Sequence, residues 1–80
     1  SIVQNGDGVW EGLRVYPEGI VCYDKHLTRL QEGAHALSYE GIPTKKEIKK
    51  AIPPVNSIAK ITLSQIGSSA PVLALNQALA

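Results

Sequence analysis

The side chains best suited to chemistry lie on two short segments, residues 6–16 (GDGVWEGLRVY) and residues 26–30 (HLTRL). The first segment carries Glu11 and Arg14 among apolar residues, and the second carries Arg29. A carboxylate among apolar neighbours is costly unless it has a partner. A guanidinium is a planar fork of donors that suits a carboxylate or a phosphate. These residue types therefore predict either structural ion pairs or a site for an anion.

Each of these charged side chains also has a purely structural interpretation. Glu11 can be the buried partner of a neighbouring cation or backbone amide instead of a catalytic group. Arg14 can lie on a solvated strand face. Arg29 can extend into solvent, pair with Glu32 at i,i+3, or bind an anion. The residue types alone leave these alternatives open.

Three other side chains, Cys22, His26 and His35, are candidates for a metal site or a cysteine nucleophile. Their spacing matches no strong zinc pattern, and a paired Cys-x-x-Cys is missing. A single cysteine without an orienting partner is more often a packing residue than a nucleophile. The sequence therefore predicts no metal site and no cysteine-based catalysis.

Length and composition predict one small domain over residues 1–80, in a chain with a net charge of +1. This charge predicts no attraction to nucleic acid or to an anionic membrane, and no apolar run approaches the ~20 residues of a membrane span. The lone cysteine fits an intracellular, reducing compartment. The chain contains no methionine, so we expect a processed protein or a fragment of a longer one.

Residues 8–23 predict a β-hairpin, with a turn at Pro17-Glu18-Gly19. The returning strand is predicted at residues 20–23. Because side chains alternate along a strand, one face of the first strand carries Trp10, Gly12, Arg14 and Tyr16. The opposite, buried face carries Val9, Glu11, Leu13 and Val15.

A helix is predicted after the hairpin, with Asp24 at the N-cap and Gly41 near its C-terminal end. Its buried face carries the residues at helical spacing, Leu27, Leu30, Ala34 and Leu37. Gly33 costs a helix about 1 kcal/mol relative to Ala, which suggests the close approach of another backbone.

A second, short helix is predicted after Thr44, which forms a capping box with Glu47. Ile48 and Ile52 face inward, and Pro53-Pro54 ends this helix. A strand follows at residues 58–64, with Ala59, Ile61 and Leu63 on one side. Residues 67–69 are loop, and residues 71–75 are a strand or the start of a helix. The order of elements predicts an α+β fold, with two helices against an antiparallel or mixed sheet.

The two segments together resemble the N-terminal small domain of the class IV, or fold-type IV, pyridoxal-phosphate aminotransferases. The family pattern is a strand of the form G-[DT]-x-[VL]-[FYW]-E-[GV]-[LIV]-[RK], a turn, an apolar strand, and a helix carrying H-[LIM]-x-R-L. Residues 6–14 and 26–30 match these two motifs. The variant of the first motif found here, with Gln4 and Trp10, most resembles the plant-type branched-chain aminotransferase-like branch of the family. The resemblance covers residues 2–52.

The resemblance implies roles for four residues. Arg29 would bind the phosphate of pyridoxal 5'-phosphate, and Trp10, Gly12 and Arg14 would lie at the substrate. No catalytic residue is assigned, because the Schiff-base lysine belongs to a large domain that is absent from this chain. Beyond residue 52 the sequence departs from the pattern, and Lys60 stands where relatives often carry arginine.

The resemblance further implies transfer of an amino group from a branched-chain-type amino acid to a 2-oxo acid, by a homodimer in the cytoplasm or a plastid. D-amino-acid aminotransferase and aminodeoxychorismate lyase are alternatives within the family. An alternative of another class is a truncated, non-catalytic module that binds or interacts without chemistry. The 80-residue chain alone is not expected to transaminate.

Overall fold

A computed structural model describes residues 8–80, which form a four-stranded antiparallel sheet with two helices packed on one face. The predicted α+β class is confirmed. Gln4 and Gly6, which carry part of the family resemblance, lie outside the described residues. The elements are β1 (Gly8–Tyr16), β2 (Gly19–Ile20), α1 (Tyr23–Ala36), α2 (Lys45–Lys50), β3 (Ser57–Ser64) and β4 (Val72–Leu79).

The strand order across the sheet is β2-β1-β3-β4, so β1 and β3 lie at its centre. One hydrophobic core joins the inner face of these two strands to both helices. The alternation predicted for β3 is confirmed, because Ala59, Ile61 and Leu63 face inward and are fully buried. The core comprises Leu13, Val15, Leu27, Leu30, Ala34, Tyr39, Ile48, Ile52, Ala59, Ile61 and Leu63. The longer helix has 14 residues, and none within residues 8–80 is long and apolar enough to cross a membrane.

The entry into α1 differs from the prediction. The returning strand ends at Ile20, and the N-cap is Cys22, in the left-handed region with φ 52°, so the prediction of Asp24 as N-cap was wrong. This conformation turns the chain from strand to helix within two residues. Asp24 lies in the first turn, where a carboxylate complements the helix dipole, and accepts a hydrogen bond from Lys45 Nζ at 2.7 Å.

The end of α1 also comes earlier than predicted. The helix closes with a Schellman motif, in which the Tyr39 N–H donates to the Ala34 carbonyl and the Ser38 N–H to the His35 carbonyl. Ser38, with φ 62°, takes the position that was expected for Gly41. The Tyr39 ring is buried in the core, whereas Leu37, predicted to be buried, is an exposed C-cap residue.

The predicted capping box of α2 is confirmed. The Thr44 hydroxyl accepts from the Glu47 N–H at 3.1 Å, and the Glu47 carboxylate accepts from the Thr44 N–H at 2.9 Å. Ile48 and Ile52 are buried as expected. The helix has six residues and ends with Ala51 as C-cap, just before the two prolines.

The last strand, β4, continues to Leu79, beyond the predicted apolar run. Its polar member Gln77 explains the extension, because the side-chain amide donates to the Ser57 hydroxyl at 2.8 Å and to the Pro53 carbonyl at 3.0 Å. These hydrogen bonds tie the end of β4 to the start of β3.

Gly33 marks a close approach, as predicted, but the neighbour is a side chain and not a backbone. A Cβ added at Gly33 would lie 3.0 Å from Val9 Cγ1, which is closer than carbon atoms pack without one of them moving. The glycine lets α1 lie close to β1. The separation of the two elements therefore depends on this pair.

We predict that Gly33→Ala gains less than the ~1 kcal/mol of helix propensity, because the new methyl group meets Val9. In a Val9→Ala background the same substitution should recover that gain. Urea unfolding of the four proteins of the cycle measures the coupling. Additive effects of the two substitutions would contradict the close approach.

Candidate functional site

The two segments that carry the chemistry meet at one carboxylate, that of Glu11. Its Oε1 accepts a hydrogen bond from Arg29 Nη2 at 2.9 Å and lies 2.6 Å from His26 Nδ1. Its Oε2 accepts from Arg29 Nε at 3.4 Å. Both oxygens of Glu11 are thus engaged by side chains of α1.

Two local regularities bring these side chains together. Alternation along β1 puts Glu11 on the face that the helices cover, next to Leu13 in the same row. On α1, His26 and Arg29 are three residues apart, and residues with this spacing share a helix face. The cluster lies at the margin of the core, since the side-chain exposure is 16% for Glu11, 22% for His26 and 61% for Arg29.

The electrostatics follow from this geometry. The hydrogen bond from Arg29 holds the pKa of Glu11 below its usual range, with a smaller contribution from His26, while partial burial opposes both. The same contact raises the pKa of Arg29. His26 Nδ1 also lies 3.1 Å from Arg29 Nη2. In neutral imidazole this nitrogen either donates to Glu11 or accepts from Arg29.

The ionic partner of Arg29 in the part of the chain that the structure describes is Glu11, and not Glu32 as the helical spacing allowed. The hydrogen bonds within residues 8–80 use its Nε and Nη2 atoms, and none of them uses Nη1. Among the described residues the guanidinium is therefore held on its Nε and Nη2 side, and the side chain is 61% exposed, which leaves Nη1 for an anion.

Trp10 and Gly12, predicted at the substrate, lie together on the opposite face of the sheet, with Trp10 59% exposed. Lys60, which pairs with Gly12 across the strands, places its Nζ 4.8 Å from the centre of the Trp10 ring. A Cβ added at Gly12 would find its nearest atom, in the Trp10 ring, at 3.8 Å. The backbone at Gly12 is thus open to close approach.

Arg14 lies in the same row, but its guanidinium is engaged by the protein itself. Nη1 donates to the Ser57 carbonyl at 3.2 Å, and the guanidinium carbon lies 4.4 Å from the centre of the Tyr16 ring. The side chain is half-buried. This arrangement supports the structural interpretation of Arg14 and leaves only part of the guanidinium for a ligand.

The free edge of β1 connects Arg29 with the opposite row. Among the described residues, β2 pairs only with Val15 and Tyr16, so no strand covers the outer edge of β1 between residues 8 and 13. Glu11 projects from one face of this edge, and Trp10 and Gly12 lie on the other. A ligand that follows the edge can contact both faces. Sequence reasoning missed this feature, because the length of β2 was overestimated.

The three candidate metal ligands, Cys22, His26 and His35, do not come together in one group. Within residues 8–80 no three His, Cys, Asp or Glu side chains come together in a group that could hold a metal ion. Cys22 is a free, exposed thiol at the start of α1. His26 is occupied with Glu11, and His35 lies near the far end of the same helix.

We predict that Glu11→Gln lowers the free energy of unfolding at neutral pH and that this deficit shrinks in acid. Because the pKa of Glu11 is lowered in the folded chain, its ionised form stabilises the fold above the unfolded value of about 4.3. That contribution disappears as the pH falls through the lowered pKa. Urea unfolding at several pH values from neutral to acid measures it, with exposed Glu32→Gln as the control. A deficit independent of pH would contradict the ion pair.

Comparison with known proteins places these features in context. No protein-family model matches the chain. Branched-chain-amino-acid aminotransferase-like protein 2 of Arabidopsis thaliana is 50% identical over 52 residues, and aminotransferase-like protein 1 is 48% identical over the same length. Each match covers 65% of this chain and 9% of the relative, so the chain spans a small part of these proteins. The matches confirm the aminotransferase-like resemblance, and over these 52 residues the chain is similar to the branched-chain-amino-acid aminotransferase-like proteins.

Proposed function

We propose that this chain is the N-terminal part of a fold-type IV aminotransferase, which uses pyridoxal 5'-phosphate to transfer an amino group from a branched-chain amino acid to a 2-oxo acid. The names of the two relatives support the aminotransferase class and the branched-chain type. The whole protein would be a homodimer with these two substrates.

The observation that carries the proposal is the contact between Glu11 and Arg29. Glu11 belongs to the first matched motif and Arg29 to the second, and the two are 18 residues apart in the chain. An arginine with no specific role at the surface would extend into solvent, and any ion pair that it formed would contribute little to stability. This guanidinium is instead held by Glu11 through Nε and Nη2, and none of the described residues binds Nη1, which leaves that atom for an anion.

The chemistry of the donors fits the phosphate of the cofactor. The exposed side of Arg29 offers a permanently charged, planar donor group, which is well suited to phosphate oxygens. When bound, the cofactor supplies the electron sink for the reaction. In this proposal Arg29 anchors the phosphate from the helix-covered side of β1. The remaining phosphate donors and the Schiff-base lysine lie outside this chain, and we assign that lysine to none of the residues present.

The open face of the sheet suits a branched-chain substrate. Trp10 beside the free edge of β1 and Ile58 on β3, opposite Arg14, are 59% and 53% exposed and offer apolar surface on this face. Gly12 between them admits a ligand close to the backbone. Arg14 and Lys60 add positive charge on the same face, which favours a carboxylate. We therefore propose Trp10, Gly12 and Arg14 as substrate-side residues, with Arg14 acting mainly through charge.

The proposal predicts that the native protein is several times heavier than the 8.6 kDa of this chain. It should carry residues 8–80 near its N-terminus, absorb as a pyridoxal-phosphate enzyme, and transfer the amino group of leucine to 2-oxoglutarate. Intact mass in the source organism and a coupled transamination assay measure these properties. If the native protein instead has the small mass and is inactive with added cofactor, the enzyme proposal is wrong and the non-catalytic module is favoured.

In the full-length enzyme, Arg29→Gln should weaken cofactor binding by at least about tenfold, since a charge-assisted phosphate contact is lost. Equilibrium dialysis with pyridoxal 5'-phosphate measures the change. Lys46→Gln, which removes an exposed charge from α2, is the matched control. Equal cofactor affinity in Arg29→Gln and the control would show that Arg29 is not the phosphate anchor.

A further inference from the structure

We propose that Glu11 is a positioning residue, which holds the guanidinium of Arg29 in the orientation that receives an oxyanion. The inference rests on the proposed function, because it assigns the preparation of the same phosphate site to a second residue. Glu11 does not touch the anion in this account and acts only through Arg29.

The geometry of the contact restricts the guanidinium of Arg29. Glu11 binds Arg29 through two oxygens, at 2.9 Å to Nη2 and 3.4 Å to Nε. A two-point contact fixes the plane of a guanidinium, whereas a single hydrogen bond leaves it free to rotate. The direction in which Nη1 and the outer side of the group point is thereby determined.

Glu11 is itself held in place. It projects from a central strand, its side chain is 16% exposed, and His26 Nδ1 lies 2.6 Å from Oε1. Arg29, in contrast, is a long side chain with 61% exposure, and ordering such a side chain costs conformational entropy. Because Glu11 orders Arg29 when the chain folds, this entropy is lost on folding and does not weaken the binding of the anion.

The arrangement also excludes another role for Glu11. Both oxygens accept hydrogen bonds, and the neighbouring cation favours the ionised form. A group in this state is a poor proton acceptor at neutral pH. The carboxylate therefore serves to orient Arg29 and not to exchange protons with a substrate.

The direction in which one substitution changes the anion affinity distinguishes a positioning role of Glu11 from a purely electrostatic effect. Glu11→Gln keeps the size of the side chain and removes one negative charge close to the anion. Electrostatics alone predicts that the variant binds anions more tightly. Loss of orientation predicts weaker binding, because the entropy of ordering Arg29 is then lost when the anion binds.

The test is a titration of the cofactor-free, full-length protein with pyridoxamine 5'-phosphate, followed by NMR of the Arg29 Nε–H. This probe has no aldehyde, so it cannot form adducts with the lysines of the chain. Pyridoxamine without phosphate is the ligand control. Glu32→Gln, which removes an exposed carboxylate from the same helix, is the matched charge control.

We expect Glu11→Gln to weaken binding of the probe about fivefold and to make the Arg29 Nε–H exchange faster with water in the ligand-free protein. Glu32→Gln should leave affinity and exchange unchanged. Unchanged or tighter binding in Glu11→Gln, with Arg29→Gln still defective, would overturn the positioning role and leave Arg29 as the anchor. Absence of phosphate-dependent binding in the wild-type full-length protein, or its undiminished persistence in Arg29→Gln, would overturn both.

Discussion

The site depends on one carboxylate that lies between a central strand and the helix packed against it. Glu11 occupies a position in β1 where alternation would ordinarily place an apolar residue, with Leu13 and Val15 following it in the same row. A carboxylate there is tolerated because α1 supplies two partners from one of its faces, His26 and Arg29. The same contact therefore joins strand to helix and fixes the side chain that the proposed function needs.

The packing of α1 on β1 makes this contact possible. Gly33, two turns beyond His26, admits the side chain of Val9 and lets the helix lie close to the strand. At the other end, Cys22 in a left-handed conformation turns the chain into α1 within two residues of β2. A short second strand leaves the outer edge of β1 without a strand partner among the described residues, and this edge is where the two faces of the proposed site meet.

Much of this organisation could be predicted from the sequence, because local signals and burial agreed. The capping box at Thr44, the alternation along β3 and the helical spacing of Leu27, Leu30 and Ala34 each specify one structure by a local rule. The family resemblance selected Arg29, although the residues alone left three interpretations open.

Other features could not be predicted, because they depend on tertiary contacts that leave no local pattern. Left-handed conformations at Cys22 and Ser38 occur at residues that seldom adopt them, and burial of the Tyr39 ring completes the end of α1. The choice of Glu11 over Glu32 as the partner of Arg29 likewise depends on how the helix crosses the strand, which the spacing on α1 does not specify.

The most direct test of the role of Glu11 and Arg29 is a crystal structure of the full-length protein with pyridoxamine 5'-phosphate. We predict phosphate oxygens at about 2.7–2.9 Å from the outer side of the Arg29 guanidinium, with both hydrogen bonds from Arg29 to Glu11 intact. A phosphate bound elsewhere, or bound at Arg29 only after the contact with Glu11 has broken, would contradict it.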